Sequence, residues 1–332
     1  MKVAVFSAKR YDREMLGAAN AEAAHELVFF DHLLDSSTVA LAAGAGAVCG
    51  FVNDRMDAPV LEVLAKGGVG LVALRCTGFN NVDLKAAARL GIKVVRVTDY
   101  SPHSVAEHAV ALILALNRKI PRAYNRTRDG NFELDGLMGR DLHGQTVGVI
   151  GTGKIGRVFA RIMAGFGCSV LGSDPYPDPE FEAHGGRYVP VAELAERSDI
   201  ISLHCPLTPG THHLVNAASL ARGKRGAVLI NTSRGGLVDT EAVIEGLKSG
   251  QIGGLGLDVY EQESDLFFQD LSGTIIADDL IQRLVSFPNV IVTGHQAFFT
   301  QEAIGTICET TIGSITAYAE GRPLEHEIQA AA

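Results

Sequence analysis

Three kinds of side chain in this sequence have the chemistry that carbonyl reduction needs. Arg234 follows the β-rich run Ala227–Asn231, the glutamates Glu261 and Glu263 follow the run 252–258, and His295 follows the run 289–293. A guanidinium can grip a carboxylate with two parallel hydrogen bonds. An imidazolium can give a proton to a carbonyl oxygen while a hydride arrives at the carbon. A carboxylate beside that imidazole favours its charged form. Taken singly, each of these groups is more often a solvated loop residue. Their joint placement after parallel-strand candidates points to reduction of a 2-oxo acid.

The reductant is suggested by a second pattern. An apolar run from Thr146 breaks into Gly151-Thr152-Gly153-Lys154-Ile155-Gly156, and a helical pattern follows. Gly151 allows a tight turn, Gly153 lets the backbone approach a pyrophosphate, and Gly156 lets the helix pack closely on the sheet. The amino end of that helix offers free N–H donors to phosphate. The next apolar run, from Cys168, ends at Asp174, where a carboxylate would take the adenosine ribose hydroxyls and repel a 2′-phosphate. A GxGxxG by itself is a weak signal. Strand before, helix after and acid beyond make it a dinucleotide site.

The elements that must position these groups alternate. Residues 3–6, 27–30, 47–52, 69–74 and 94–97 read as strands, with helices at 15–25, 59–66 and 83–90 between them. This first unit has no glycine fingerprint after Phe6, so it is expected to hold substrate rather than dinucleotide. A helix from Pro102 to Leu116 and a polar run at 117–141 lead to the strand at Thr146. Beyond the glycine loop, strands are expected at 199–204, 227–231, 252–258 and 289–293, with helices at 189–197 and 240–249. A last helix, 300–320, has one apolar face through Ala303, Ile304, Ile307, Cys308, Ile312, Ile315 and Ala319.

The fold class expected is α/β, with two doubly wound parallel sheets, Rossmann-like and flavodoxin-like. The first domain is discontinuous, 1–100 and 299–332, and binds substrate. The dinucleotide domain, 101–298, is inserted into it, and the active site is expected in the cleft between the two.

Composition narrows the partners. The 332 residues are 47% hydrophobic and 20% charged, with a net charge of −9 and no basic cluster, which disfavours nucleic acid and anionic membrane. The apolar start is too short for a signal-peptide core, and the apolar helix carrying Glu107 and His108 is too short to span a bilayer. The five cysteines are scattered without a CxxC pair, so they read as reduced thiols, and a cytoplasmic protein is expected. No metal is implied, and the adjacent His212 and His213 read as exposed loop residues.

At this point the chain resembles the D-isomer-specific 2-hydroxyacid dehydrogenases along essentially its whole length. The broad markers are Gly151 to Gly156, Asn231-Thr232-Ser233-Arg234-Gly235-Gly236 and Leu257 to Glu263. Leu266 to Asp270 and Thr293-Gly294-His295-Gln296-Ala297-Phe298-Phe299 are similar to the lactate branch. The resemblance implies that Arg234 anchors the carboxylate, Glu263 rather than Glu261 partners the histidine, and His295 is the acid/base. It implies that Thr77 and Gly78 bind substrate through backbone N–H groups and that Tyr100 and Phe298 line the substrate pocket. For NAD it implies Gly151, Gly153, Lys154, Ile155, Gly156, Asp174, His204, Cys205, Pro206, Thr232 and Asp258. The expected reaction is pyruvate with NADH giving D-lactate. Bulkier 2-oxo acids are the alternative substrates, and a dinucleotide-sensing binding protein is the alternative class. The helix after Pro102 resembles the family's dimerisation element, so a homodimer or homotetramer is expected.

Overall fold

The computed structural model describes residues 1–263 and 266–329. The chain divides into two compact units, Met1–Ser101 with Phe299–Ala332, and Pro102–Phe298.

The smaller unit is built on five strands: β1 (Lys2–Val5), β2 (Glu26–Phe29), β3 (Ala47–Gly50), β4 (Leu71–Leu74) and β5 (Lys93–Val95). They pair in parallel in the order β2-β1-β3-β4-β5. Strands β3 and β4 are buried at every position, as expected of a parallel sheet covered on both faces. Asp57 and Asp83 start the helices Ala58–Lys66 and Leu84–Leu90 by accepting from the N–H groups of Val60 and Ala86, and Gly91 ends the second at φ 72°. The C-terminal helix Gln301–Ala319 returns to this unit, capped by Thr300, and packs on the first helix and on β4. Its Ile315 has no exposed surface. Truncating such a residue to alanine costs about 2–5 kcal/mol.

The first helix corrects the expectation of 15–25, because it runs over Arg10–Ala19. The Lys9 N–H donates to Asp12 Oδ2 at 2.9 Å and starts the helix early. The Asn20 side chain then pairs with both the N–H and the C=O of His25, which closes a turn where helix was expected.

The larger unit carries seven strands: β6 (Thr146–Ile150), β7 (Ser169–Ser173), β8 (Gly186–Tyr188), β9 (Ile200–Leu203), β10 (Ala227–Asn231), β11 (Ile252–Leu257) and β12 (Val290–Val292). All pair in parallel in the order β12-β11-β10-β9-β6-β7-β8. The chain leaves β6 toward β7 and β8, then returns to β9 on the other side. That reversal between β6 and β9 is where an open parallel sheet binds ligands, at its carboxyl edge. Helices Pro102–Asn117 and Lys154–Gly165 pack against each other over one face. The polar run at 117–141 hides a further helix, Ile120–Arg128, none of whose residues is buried. Ile120, Ala123 and Tyr124 fall at helical spacing, but the stretch around them is polar and buries nothing, so it reads as a loop. The short strand β8 and the helices Pro179–Ala183, Ala217–Arg222 and Asp279–Val285 were likewise not expected from the sequence.

Candidate active site

The turn after β6 is shaped by its glycines. Gly151 adopts φ 93°, and a Cβ there would lie 2.5 Å from the backbone nitrogen of Cys205. A Cβ on Gly156 would lie 2.0 Å from the carbonyl oxygen of Gly151, so the helix can approach the strand only without a side chain. Gly153 differs: a Cβ there would meet no atom within 4 Å. Its lack of a side chain leaves free space in front of the amino end of helix Lys154–Gly165, as a pyrophosphate cradle requires. Lys154 and Ile155 form the first turn of that helix, and Ile155 packs on the core beneath.

The neighbouring groups suit the rest of a dinucleotide. Asp174 is held by the N–H groups of Thr152 and Tyr176 at 2.7 and 2.8 Å, one on each carboxylate oxygen. Each oxygen keeps a further lone pair for a ribose hydroxyl. His204 closes β9, pairs with Ser202 Oγ at 2.9 Å, and is pushed down to about 3 by burial, so it is neutral. Burial pushes the Cys205 thiol up to about 11, leaving it an unreactive wall. The Pro206 carbonyl accepts from Thr211 Oγ1. Thr232, at the end of β10, has a buried hydroxyl with no hydrogen-bond partner among the described residues. A buried orphan hydroxyl of this kind fits a site completed by a ligand.

Three further strand ends carry the groups that the sequence singled out for chemistry. Strand β11 leads into Asp258, which has no exposed surface. Its carboxylate accepts from the N–H groups of Gln296 and Ala297 at 2.9 and 2.8 Å and from the Thr293 hydroxyl, while its carbonyl accepts from the N–H of His295 at 2.8 Å. His108, on helix Pro102–Asn117, reaches both Thr293 Oγ1 at 3.0 Å and Asp258 Oδ1 at 3.4 Å. Burial alone would raise the Asp258 carboxyl, but these hydrogen bonds hold it below the usual carboxylate range. The ionised side chain thus fastens the turn that forces His295 into φ 53°, a left-handed backbone that costs a non-glycine residue of order 1–3 kcal/mol.

Within that turn, His295 Nδ1 lies 2.9 Å from Glu263 Oε1, and the other Glu263 oxygen accepts from the N–H of Tyr260 at 2.9 Å. An ionised carboxylate only accepts, so Nδ1 carries a proton and Nε2 is the ring atom left for chemistry. Glu261 points elsewhere, to His213 at 2.7 Å. Arg234 is partly buried and gives Nη1 to the carbonyl of Ser233. Its neighbour Gly235 has no room for a Cβ, which would lie 2.1 Å from the carbonyl carbon of Tyr260. The backbone carrying Arg234 therefore rests on the segment that leads to Glu263.

Thr77 and Gly78 belong to the smaller unit, where Arg96 holds the Thr77 carbonyl at 3.0 Å and Cys76 Sγ holds that of Gly78 at 3.2 Å. Tyr100 and Phe298 are each partly exposed. His108, Thr293 and Phe268, whose ring lies 5.7 Å from that of His295, were not singled out from the sequence. A histidine in an otherwise apolar helix was the one available signal for His108.

Comparison with known proteins identifies the family. Residues 110–297 match the family described as D-isomer specific 2-hydroxyacid dehydrogenase, NAD binding domain. The chain belongs to the D-isomer-specific 2-hydroxyacid dehydrogenases. It is 54% identical to 2-hydroxyacid dehydrogenase A of Aspergillus oryzae over 95% of this chain and 91% of that one. It is 52% identical to the D-lactate dehydrogenase of Escherichia coli K12, over 99% and 100%. The solved structure titled for the pyruvate reductase of Chlamydomonas reinhardtii is similar with a TM-score of 0.94, at 48% identity and 98% coverage of each chain. The dehydrogenase is an NAD-binding oxidoreductase. None of its described helices is long and apolar enough to cross a membrane.

Proposed function

We propose that this dehydrogenase reduces pyruvate with NADH to D-lactate, reversibly, and that Arg234, Glu263 and His295 carry the reaction. The observation that supports this most is the 2.9 Å pairing of His295 Nδ1 with Glu263, which leaves Nε2 to give or take the substrate proton. Bound NADH supplies a hydride to C2 of the oxo acid. Arg234 takes the carboxylate in its planar fork and draws charge toward the carbonyl oxygen as it becomes an alkoxide. His295 delivers the proton to that oxygen, and Glu263 opposes the positive charge the imidazolium carries beforehand. In the reverse direction His295 starts neutral and takes the proton back.

By the family pattern, Thr77 and Gly78 N–H groups receive the carboxylate in the smaller, substrate-binding unit, and Tyr100 and Phe298 crowd the methyl side. The NAD contacts are assigned to Gly151, Gly153, Lys154, Ile155, Gly156, Asp174, His204, Cys205, Pro206 and Thr232, with Asp258 on the nicotinamide side. The names of the relatives in Escherichia coli and Chlamydomonas reinhardtii favour pyruvate over bulkier acids. Ile120, Tyr124, Phe132, Leu134 and Met138 are exposed apolar side chains within the otherwise polar run 117–141, which supports a homodimer or homotetramer. Five free thiols suit a cytoplasmic setting.

The test is a turnover assay with NADH against a panel of 2-oxo acids, with the chirality of the product determined. Pyruvate should lead and give D-lactate. A higher kcat/KM on phenylpyruvate would move the assignment to the bulky-acid branch.

A further inference from the structure

The loop histidines that the sequence offered as mere surface residues meet a third group in the fold. His212 and His213 stack with ring centroids 3.9 Å apart and planes 23° from parallel. Glu261 Oε1 lies 2.7 Å from His213 Nε2 and 3.9 Å from His212 Nε2. One ligand atom from each of the three falls within 4.8 Å of the others, and this is the set of three or more such groups found among the described residues.

The backbone fixes this cluster. The His213 N–H donates to the carbonyl of Gly236 at 2.9 Å, the His212 N–H to that of Thr208 at 2.9 Å, and Asn216 Nδ2 holds the His213 carbonyl at 2.8 Å. His213 sits at φ 49°, a left-handed conformation uncommon outside glycine. On the other side, the space a Cβ of Gly235 would need is filled by Tyr260 and the Glu261 nitrogen. Three segments of one unit therefore converge: the loop after β9, the turn after β10 and the turn after β11.

We propose that His212, His213 and Glu261 form a binding site for one transition-metal dication of the zinc class. Two imidazoles and one carboxylate are the donor set such cations favour, whereas magnesium and calcium prefer oxygen alone. Tetrahedral bonds of about 2.0–2.1 Å place ligand atoms roughly 3.3 Å apart, between the two separations observed here. Because each Nε2 lone pair lies in its ring plane, binding requires the stacked rings to swing apart, the more exposed His212 moving most. The side chains are 55%, 34% and 30% exposed, which leaves room for water as the fourth ligand. A bound cation staples the loop 207–214 to the segment 259–263, on either side of the turn that bears Arg234. Its role is to hold those segments, and it takes no part in hydride or proton transfer. The site does not depend on which 2-oxo acid the enzyme reduces.

The experiment uses chelator-stripped enzyme titrated calorimetrically with zinc chloride, with nickel and magnesium chlorides in parallel, and amide exchange measured with and without zinc. One zinc per chain should bind, raise the melting temperature and slow exchange in 207–214 and 259–262, while magnesium should neither bind nor compete. Glu261→Gln and His213→Asn should each weaken zinc about tenfold or more, with a melting temperature in chelator close to wild type. Should His213→Asn fail to fold, His212→Ala removes an exposed ligand and should show the same loss. Undiminished zinc affinity in the variants, displacement of zinc by magnesium, or absence of saturable binding would overturn the proposal.

Discussion

The turns after β1 and β6 occupy the same place in their sheets, at the carboxyl end of a strand entering its first helix, yet they are built for opposite ends. After β6 the backbone carries no side chain at Gly151, Gly153 and Gly156, and the space beyond Gly153 is open. After β1 the equivalent turn is filled. Ser7 adopts φ 54° and donates from its hydroxyl to Asp54 at 2.6 Å, while its carbonyl accepts from Arg75 at 2.9 Å. Arg75 also pairs with Asp12 at 3.0 Å, and both side chains are almost wholly buried. Burial pushes the Asp54 carboxyl up, although Ser7, Leu34 and Phe51 all donate to it. A parallel sheet makes a crevice at this edge in both units. Whether a phosphate group can enter is decided by what the turn residues put there.

Under the proposed function, Arg234, Glu263 and His295 on the larger sheet's edge serve chemistry, whereas Arg75, Asp12 and Asp54 on the smaller one's serve stability. The hardest test of that contrast is His295→Gln. Turnover in both directions should fall about 10²–10⁴-fold, with NADH binding and melting temperature nearly unchanged. A collapse of stability instead would place His295 among the structural residues. The counterpart is Arg75→Met, which strands Asp12 in the interior and should cost about 3–5 kcal/mol in a denaturant titration. If this variant kept wild-type stability, the buried pair would not be the plug inferred for that turn.

Gly153→Ala probes the open turn directly. Its Cβ meets nothing in the fold, so stability should hold while the Kd for NADH rises roughly tenfold, equivalent to about 1.4 kcal/mol. Unchanged affinity, measured by nicotinamide fluorescence, would remove Gly153 from the pyrophosphate path. The smallest expected effect is that of Glu263→Gln, read in kcat/KM for pyruvate. The amide keeps the shape but loses the charge-assisted hydrogen bond that orients His295 Nδ1 at 2.9 Å. Turnover should therefore fall several-fold, with NADH binding and melting temperature unchanged. Equal kcat/KM for wild type and variant would separate Glu263 from the reaction.

Much of this was legible in the sequence. Strand–helix alternation produced two parallel sheets, because period and turn residues are local properties of the chain. The glycine spacing marked the turn after β6 for the same reason, and the fold places Asp174 beside that turn. Helix Ile120–Arg128 was hidden because no face of it is buried, and the start of helix Arg10–Ala19 because one carboxylate, Asp12, captured the Lys9 N–H. Residue type alone could not choose between Glu261 and Glu263. The fold turns one toward His213 and the other toward His295, through contacts between segments far apart in the chain. It also gathers His108, Thr293 and the backbone of residues 295–297 around Asp258, and Arg75, Asp12 and Ser7 into one buried network. Sequence sets which groups are available and which strand end presents them. Direction and partner are set only when the sheets close, because a hydrogen bond weakens steeply outside a narrow range of distance and angle that only tertiary packing can fix.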